Sequence, residues 1–399
     1  MSKAIRVVVA DDSAFIRRII CSHLESTDGF EVVGTAENGR EAVDLVQQLR
    51  PDVLTLDVDM PTMSGIEALE EVMRETPTPI VMVSGVSLRA AETTLRAIES
   101  GAVDFILKYI PGAKVNPEEL RLDLISKVRA ASEIRVVRTI QSRKSKKNTT
   151  ATTQNDGVES EGRGKSEGRG NSSGMQRRLE AGAATPDLVV IGASTGGPIA
   201  IKELLGRLPH DFSPPIIIVQ HIPQPFTEVL AAQLNSQLPF HTKVVTGGEK
   251  LEPRKVYIAP GDQHLLLNNM LQLELHDGPP ISGHRPSIDV TMKSIAQYFP
   301  QTVFGVLLTG MGTDGSSGLQ FIRSRGGHTF AQSSETCVVD GMPSSAIALG
   351  AVDHVASPEG IADKLALEIT RSNSQRLAKQ AAEQTRARAN KHLETVNQS

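Results

Sequence analysis

Along the first 140 residues, two rhythms of apolar and polar positions alternate. Short continuous apolar runs stand at 5–10, 32–36, 53–56, 79–83 and 103–107, bounded by polar or turn-forming residues. Runs of this length predict buried strands, because a strand covered on both faces has no polar face to show. Between them the apolar residues return every three or four positions, as in Phe15, Ile16, Ile19, Ile20 and Leu24, or Ile66, Leu69 and Met73. That is the period of a helix with one buried face. Five strand–helix units predict a doubly wound parallel sheet, with right-handed crossovers placing helices on both sides.

The rhythm stops after residue 140. Between 141 and 178 the only large apolar residues are Val158 and Met175, and Glu161-Gly162-Arg163-Gly164 returns as Glu167-Gly168-Arg169-Gly170. Such a stretch buries too little apolar area to offset its ordering entropy, so 141–185 is expected to be a flexible linker after a first domain at 1–140. A nucleic-acid-binding arm is the competing reading of its Lys and Arg. Interspersed acidic residues and the lack of aromatics argue against it.

Strand and helix patterns resume with runs at 187–191 and 215–220. Four shorter strands at 243–246, 255–259, 265–268 and 271–276 suggest an antiparallel insertion. A helix at 287–299, a strand at 302–309, a Gly-rich turn and a further helix complete a second domain at 186–371. The fold class expected is therefore α/β: two doubly wound parallel-sheet domains, the first flavodoxin-like, the second Rossmann-like with a small antiparallel insertion. Residues 372–399 are polar and free of Gly and Pro, which predicts a solvated or frayed helical tail.

Composition narrows the function. Forty-two Lys plus Arg against 46 Asp plus Glu leave a net charge of −4, which gives no general drive toward nucleic acid or anionic membrane. Two cysteines, Cys21 and Cys337, exclude a disulfide scaffold and favour a reducing compartment. The N-terminus reaches Asp11 and Asp12 too early for a signal peptide, and no apolar run approaches a bilayer span. A cytoplasmic protein without membrane insertion, and without a strong reason to oligomerise, is expected.

Candidate chemistry stands at strand ends. Asp11 and Asp12 follow the first strand, Asp57 ends the third, Ser84 the fourth, and Lys108 follows the fifth. In a parallel sheet of this order those ends share one crevice. An Asp at such a place often only caps the next helix. Three carboxylates with a hydroxyl and a cation instead point to Mg²⁺ and a phosphoryl group. The motifs Val9-Ala10-Asp11-Asp12-Ser13, Leu56-Asp57-Val58-Asp59-Met60-Pro61 and Asp104-Phe105-Ile106-Leu107-Lys108 resemble the receiver domain of response regulators. The resemblance implies phosphorylation of Asp57 by a histidine kinase. It implies Mg²⁺ on Asp12 and Asp57 directly, on Asp11 through water and on the Asp59 carbonyl, with Ser84 and Phe105 as switch residues. Receivers usually follow the lysine with proline; here it is Tyr109.

The second domain offers a nucleophile. Ile191-Gly192-Ala193-Ser194-Thr195-Gly196-Gly197-Pro198 is a strand, a tight turn and a helix start. Taken alone it reads equally as a nucleophile turn or as a cradle for a nucleotide phosphate. Strand ends at His221 and at Gly310-Met311-Gly312-Thr313-Asp314-Gly315 favour the former, since a serine needs a base and the base an orienting carboxylate. The turn at Met311 offers N–H groups to an oxyanion. His264 and His284, with Asp262 and Asp289, are the rivals for the base and its partner.

Gly192-Ala-Ser-Thr-Gly-Gly197, His221-Ile-Pro, Tyr257-Ile-Ala-Pro-Gly-Asp-Gln-His264, Gly283-His-Arg-Pro-Ser-Ile-Asp289 and Leu308-Thr-Gly-Met-Gly-Thr-Asp-Gly315 resemble the CheB methylesterase family over about 186–358. The resemblance implies Ser194 as nucleophile, His221 as base, Asp314 as its orienting carboxylate and the Met311 N–H in the oxyanion hole. It implies chemotaxis receptors as substrate, a chemotaxis histidine kinase as phosphodonor, no cofactor for the esterase, and a companion deamidation of receptor glutamines. A phosphorylation-controlled binding module with an inactive esterase domain, and a nucleotide-binding output domain, are the alternatives.

Overall fold

The computed structural model describes residues 3–108, 117–134 and 187–397. Tyr109 and the stretch 141–185 lie outside the described residues. The first sheet is parallel throughout, in the order β2-β1-β3-β4-β5, from β1 Ile5–Ala10, β2 Phe30–Ala36, β3 Val53–Asp57, β4 Ile80–Ser84 and β5 Asp104–Leu107. Helices α1 Ala14–Glu25, α2 Gly39–Leu49, α3 Gly65–Glu75, α4 Leu88–Glu99 and α5 Pro117–Ser132 alternate with the strands. Ser13, Asn38, Ser64 and Ser87 cap α1 to α4, each side-chain oxygen accepting from an N–H three residues on. These caps explain why the helices begin where the apolar runs break.

The second sheet has seven strands, all parallel, in the order β14-β13-β12-β6-β7-β9-β8. They are β6 Leu188–Ala193, β7 Ile216–Gln220, β8 His241–Val244, β9 Lys255–Ile258, β12 Val303–Leu307, β13 His328–Gln332 and β14 His354–Ala356. Its helices are α6 Gly197–Arg207, α7 Gln224–Gln237, α8 Ile288–Tyr298, α9 Ser316–Ser324, α10 Gly341–Ala348 and α11 Pro358–Asn397. The chain winds one way from β6 through β7 and the other way through β12, so the crevice for a ligand opens beside β6.

One expectation is corrected. Of the four short strands, only β10 His264–Leu267 and β11 Leu273–His276 pair antiparallel; β8 and β9 join the main sheet in parallel. The connection 245–254 crosses over rather than turning back, and strand length alone does not reveal that. The C-terminal stretch is helical, as its composition predicts. With no breaker after its first turn, α11 runs unbroken past residue 372, with Ser372 Oγ 3.3 Å from Thr302 Oγ1 and Arg376 donating to Asp187 at 3.2 Å.

The two halves meet through specific side chains. Phe105 of β5 stacks on Phe226 of α7, ring centroids 4.1 Å apart at 8°. The Thr195 hydroxyl donates to the Asp104 carboxylate, and Lys202 pairs with Glu99 at 2.8 Å.

Gly65 shows how tightly the first sheet is built around Asp57. A Cβ there would lie 1.9 Å from the Asp57 carbonyl oxygen, a backbone atom that cannot step aside. Gly65→Ala is therefore expected to destabilise the first half by about 3 kcal/mol. A urea melt of the variant within 0.5 kcal/mol of wild type (on the order of a neutral surface change) would contradict this packing.

Candidate functional site

The carboxyl ends of β1, β3 and β5 bring Asp11, Asp12, Asp57 and Lys108 together. Carboxylate oxygens of the three aspartates lie within 4.8 Å of one another. Lys108 Nζ stands 2.7 Å from Asp57 Oδ2 and 3.3 Å from Asp11 Oδ2. It meets both as an ion pair, and neither oxygen receives a directed hydrogen bond. The other oxygens are held from the backbone: Ser13 N donates to Asp11 Oδ1 at 2.9 Å and Asp59 N to Asp57 Oδ1 at 3.3 Å.

Burial, reinforced by Asp11, pushes the Asp57 carboxyl up to about 6 against the pull of Lys108. Burial raises Asp11 as well. Burial opposes the charge on Lys108, but its pairing with Asp57 and Asp11 outweighs that and raises it. Three carboxylates facing one ammonium, with buried oxygens that lack directed donors, are a donor set that fits a hard divalent cation such as Mg²⁺. Ser84 is buried at the same end, its Oγ 2.7 Å from Thr94 Oγ1. Asp59 is exposed, with its backbone N–H turned to Asp57. Phe105 is buried against the second half.

The second site grows from the turn after β6. Ser194 N donates to Thr309 O at 3.0 Å, while Gly197 N and Gln220 Nε2 both donate to Ser194 O at 2.8 Å. Gly196 takes φ 77°, and a Cβ there would strike Val338 Cγ2 at 2.5 Å. That position needs glycine on two counts. One strand over, His221 N donates to Ala193 O at 3.1 Å, so the same dipeptide, Gln220-His221, holds the Ser194 turn and carries the imidazole beside it.

His221 Nε2 lies 3.0 Å from Asp314 Oδ2. His221 Nδ1 is buried and has no hydrogen-bond partner among the described residues. Asp314 is buried and accepts from Ser287 Oγ and from the N–H groups of Ile288, Asp289 and Gly315, at 2.8–3.1 Å. Burial alone would raise its pKa. The His221 bond and charge, with the backbone donors, outweigh burial and hold the carboxyl down at about 2. Ser194, His221 and Met311 line one cleft of about 540 Å³. The Met311 N–H has no acceptor among the described residues.

The rivals take other tasks. His264 accepts from Ser287 N at 3.2 Å through Nδ1 and reaches Pro279 O at 3.0 Å through Nε2. It braces the helix start that presents donors to Asp314. Asp289 caps α9, accepting from Gly315 N, Ser317 Oγ and Gly318 N. Asp262 lines the cleft opposite Arg285. His284 stacks on His221, centroids 4.0 Å apart at 7°, and burial beside His221 lowers it to about 4.

The far wall of the cleft comes from the first half: Phe105, Leu107, Leu120, Leu122, Asp123 and Lys127. Sequence patterns do not single out Asp104, Thr195, Phe226 or Lys127, because nothing in the spacing within one half reports what the other half will touch.

Residues 7–118 match the family of response regulator receiver domains, and residues 189–365 match the family described as CheB methylesterase. The chain is 40% identical over 374 residues to a protein-glutamate methylesterase/protein-glutamine glutaminase of Halalkalibacterium halodurans, covering 93% of this chain and 100% of that one. To the same-named protein of Methanococcus maripaludis it is 37% identical over 366 residues, covering 90% of this chain and 96% of that one. The crystal structure of the Thermotoga maritima CheB methylesterase catalytic domain is 40% identical, covers 46% of this chain and 98% of that one, and superposes with a TM-score of 0.44.

Proposed function

Because the chain belongs to the CheB family, in which a receiver domain is joined to a protein-glutamate methylesterase, we propose that it hydrolyses glutamate γ-methyl esters on chemotaxis receptors to glutamate and methanol, deamidates receptor glutamines at the same site, and does both under control of phosphorylation at Asp57. The observation that carries this reading is the buried His221–Asp314 pair in the cleft that holds Ser194. An inactive esterase used only for binding would have no need of a buried imidazole–carboxylate pair beside a serine turn that only glycine at 196 allows.

Ser194 Oγ attacks the ester carbonyl carbon while His221 Nδ1 takes the hydroxyl proton. Asp314 holds the proton on Nε2 and stabilises the imidazolium that forms. The Met311 N–H faces the oxyanion, a contact worth roughly 3–4 kcal/mol of barrier. Collapse expels methanol, protonated by His221, and leaves a γ-glutamyl ester on Ser194. Water, deprotonated by His221, then attacks that ester and restores the serine. A glutamine substrate follows the same path with ammonia leaving.

In the first half, Asp11, Asp12 and Asp57 would hold Mg²⁺, which offsets charge as a phosphoryl group reaches Asp57. Lys108, already paired with Asp57, is placed to meet the phosphoryl oxygens. The receiver forms one wall of the cleft, so a receptor helix reaches Ser194 only when that wall withdraws. The histidine kinase as donor, the receptors as substrate and a cytoplasmic location belong to this proposal; no helix among the described residues is long and apolar enough to cross a membrane.

Methanol release from methylated receptor membranes tests it. Acetyl phosphate with Mg²⁺ is expected to raise the rate of wild type by up to roughly tenfold, the effect of shifting a docked majority toward open by ~1.4 kcal/mol. Asp57→Asn, or EDTA added to wild type, is expected to abolish that rise. A rise that persists in Asp57→Asn would place the phosphoacceptor elsewhere.

A further inference from the structure

Beyond forming a wall of the cleft, the receiver touches the nucleophile turn itself. The Thr195 hydroxyl donates to Asp104 Oδ2, and both residues are buried, at 5% and 8% exposure. Asp104 Oδ1 accepts from Phe105 N at 2.8 Å, so one carboxylate ties the residue after the nucleophile to the receiver residue that stacks on Phe226. Lys127 of α5 completes the cluster. Its Nζ donates to Phe105 O at 2.7 Å and to Asp123 at 3.0 Å, stands 4.0 Å from Asp104 and lies over the Phe105 ring.

We propose that Asp104 is a positioning residue of the esterase site supplied by the receiver, a latch that holds the nucleophile turn through the Thr195 hydroxyl in the docked arrangement and releases it when the receiver is phosphorylated. This rests on the function proposed above and adds the residue through which the control acts.

Three features make the pair suited to that task. The first is connection. Asp104 and Lys108 bound the same short strand, and Lys108 is ion-paired with Asp57 and Asp11. A phosphoryl group on Asp57 redraws Lys108's partners, and β5 carries the change to its other end. The second is charge. Two carboxylates, Asp104 and Asp123, share one ammonium at the interface, and the docked arrangement keeps the Asp104 carboxylate out of water while Asp123 stays partly exposed. Undocking rehydrates the Asp104 carboxylate, which keeps the latch releasable. The third is place. Thr195 is the residue next to Ser194, so the docked carboxylate holds the turn at the position that carries the nucleophile.

Asp104→Ala and Asp104→Asn in the full-length chain test the latch, with two readouts: methanol release with and without acetyl phosphate and Mg²⁺, and amide hydrogen exchange of residues 194–200. Asn keeps the shape but has one acceptor for two donors and no charge. Losing a buried charge-assisted bond predicts a roughly tenfold higher rate without donor in Asp104→Ala, a smaller rise in Asp104→Asn, and faster exchange in the turn. Stimulation by the donor should shrink by the same factor. If one variant folds poorly, the other decides. Rates without donor and exchange both equal to wild type, in a folded variant, overturn the latch. Faster exchange in the variants with no methanol from any form of the protein, donor included, refutes the esterase reading and leaves the latch standing.

Discussion

Ser194→Ala should lower methanol release by roughly 10⁵–10⁶-fold, to the level that binding and the oxyanion donors alone sustain. The change removes only the atom that attacks. Ser194's backbone bonds to Thr309, Gly197 and Gln220 do not involve Oγ, and the His221–Asp314 contact is independent of it. The variant should therefore melt within about 0.5 kcal/mol of wild type, as for other changes that leave packing intact. Loss of activity with a normal melt assigns the chemistry to this oxygen. A rate above one hundredth of wild type (about 2.7 kcal/mol of barrier) would mean that another group attacks.

Asp314→Asn comes next in size, with an expected loss of roughly 10⁴-fold in kcat and little change in KM. Asparagine has one acceptor oxygen and a donor amide. Asp314 accepts from a hydroxyl, three backbone N–H groups and the imidazole, so the amide must face at least one N–H. The ring then loses the partner that fixes its tautomer, and the start of α8 loses an acceptor. Stability is affected as well, and its sign follows from the carboxyl's low pKa. A folded value of about 2 against an ordinary 3.8 means that the ionised form stabilises the fold above pH 4 and that this contribution fades as pH falls toward 2. About two units amount to some 2–3 kcal/mol. Urea melts should show that gap between wild type and Asp314→Asn at pH 7 and a shrinking one below pH 4. A constant gap would mean that the carboxylate's charge is not what the site uses.

Both sheets and most of both sites are legible in the sequence for one reason: parallel strands buried on two faces read as apolar runs, and the residue ending each run points into the crevice. Asp57, Ser84, His221 and the Ser194 turn all stand at such ends, so their neighbourhood follows from strand order. Its strand end favours His221 over His264 and His284 already in the sequence, but what the two rivals do needs coordinates, because it depends on where loops fold back. His264 proves to brace the start of α8 and His284 to stack on His221. The pairing of β8 with β9 escapes the pattern because parallel and antiparallel edge strands have the same periodicity. Asp104 escapes for a stronger reason: as the first residue of β5 it looks like an ordinary polar strand boundary, and its partner lies 91 residues away in the other half.

The stack of Phe105 on Phe226, with α4 packed along α7, also gives the control a thermal character. Parting these faces exposes aromatic and aliphatic surface to water, so opening carries a positive heat-capacity change. The enthalpy of opening then grows with temperature, and the docked population follows a dome rather than a straight van't Hoff line. Cooling well below the top of that dome weakens docking, as it weakens any apolar association. An organism using this protein to reset its receptors would thus find the resting rate buffered against modest warming and cooling around the dome's maximum, with the steepest change reserved for its edges.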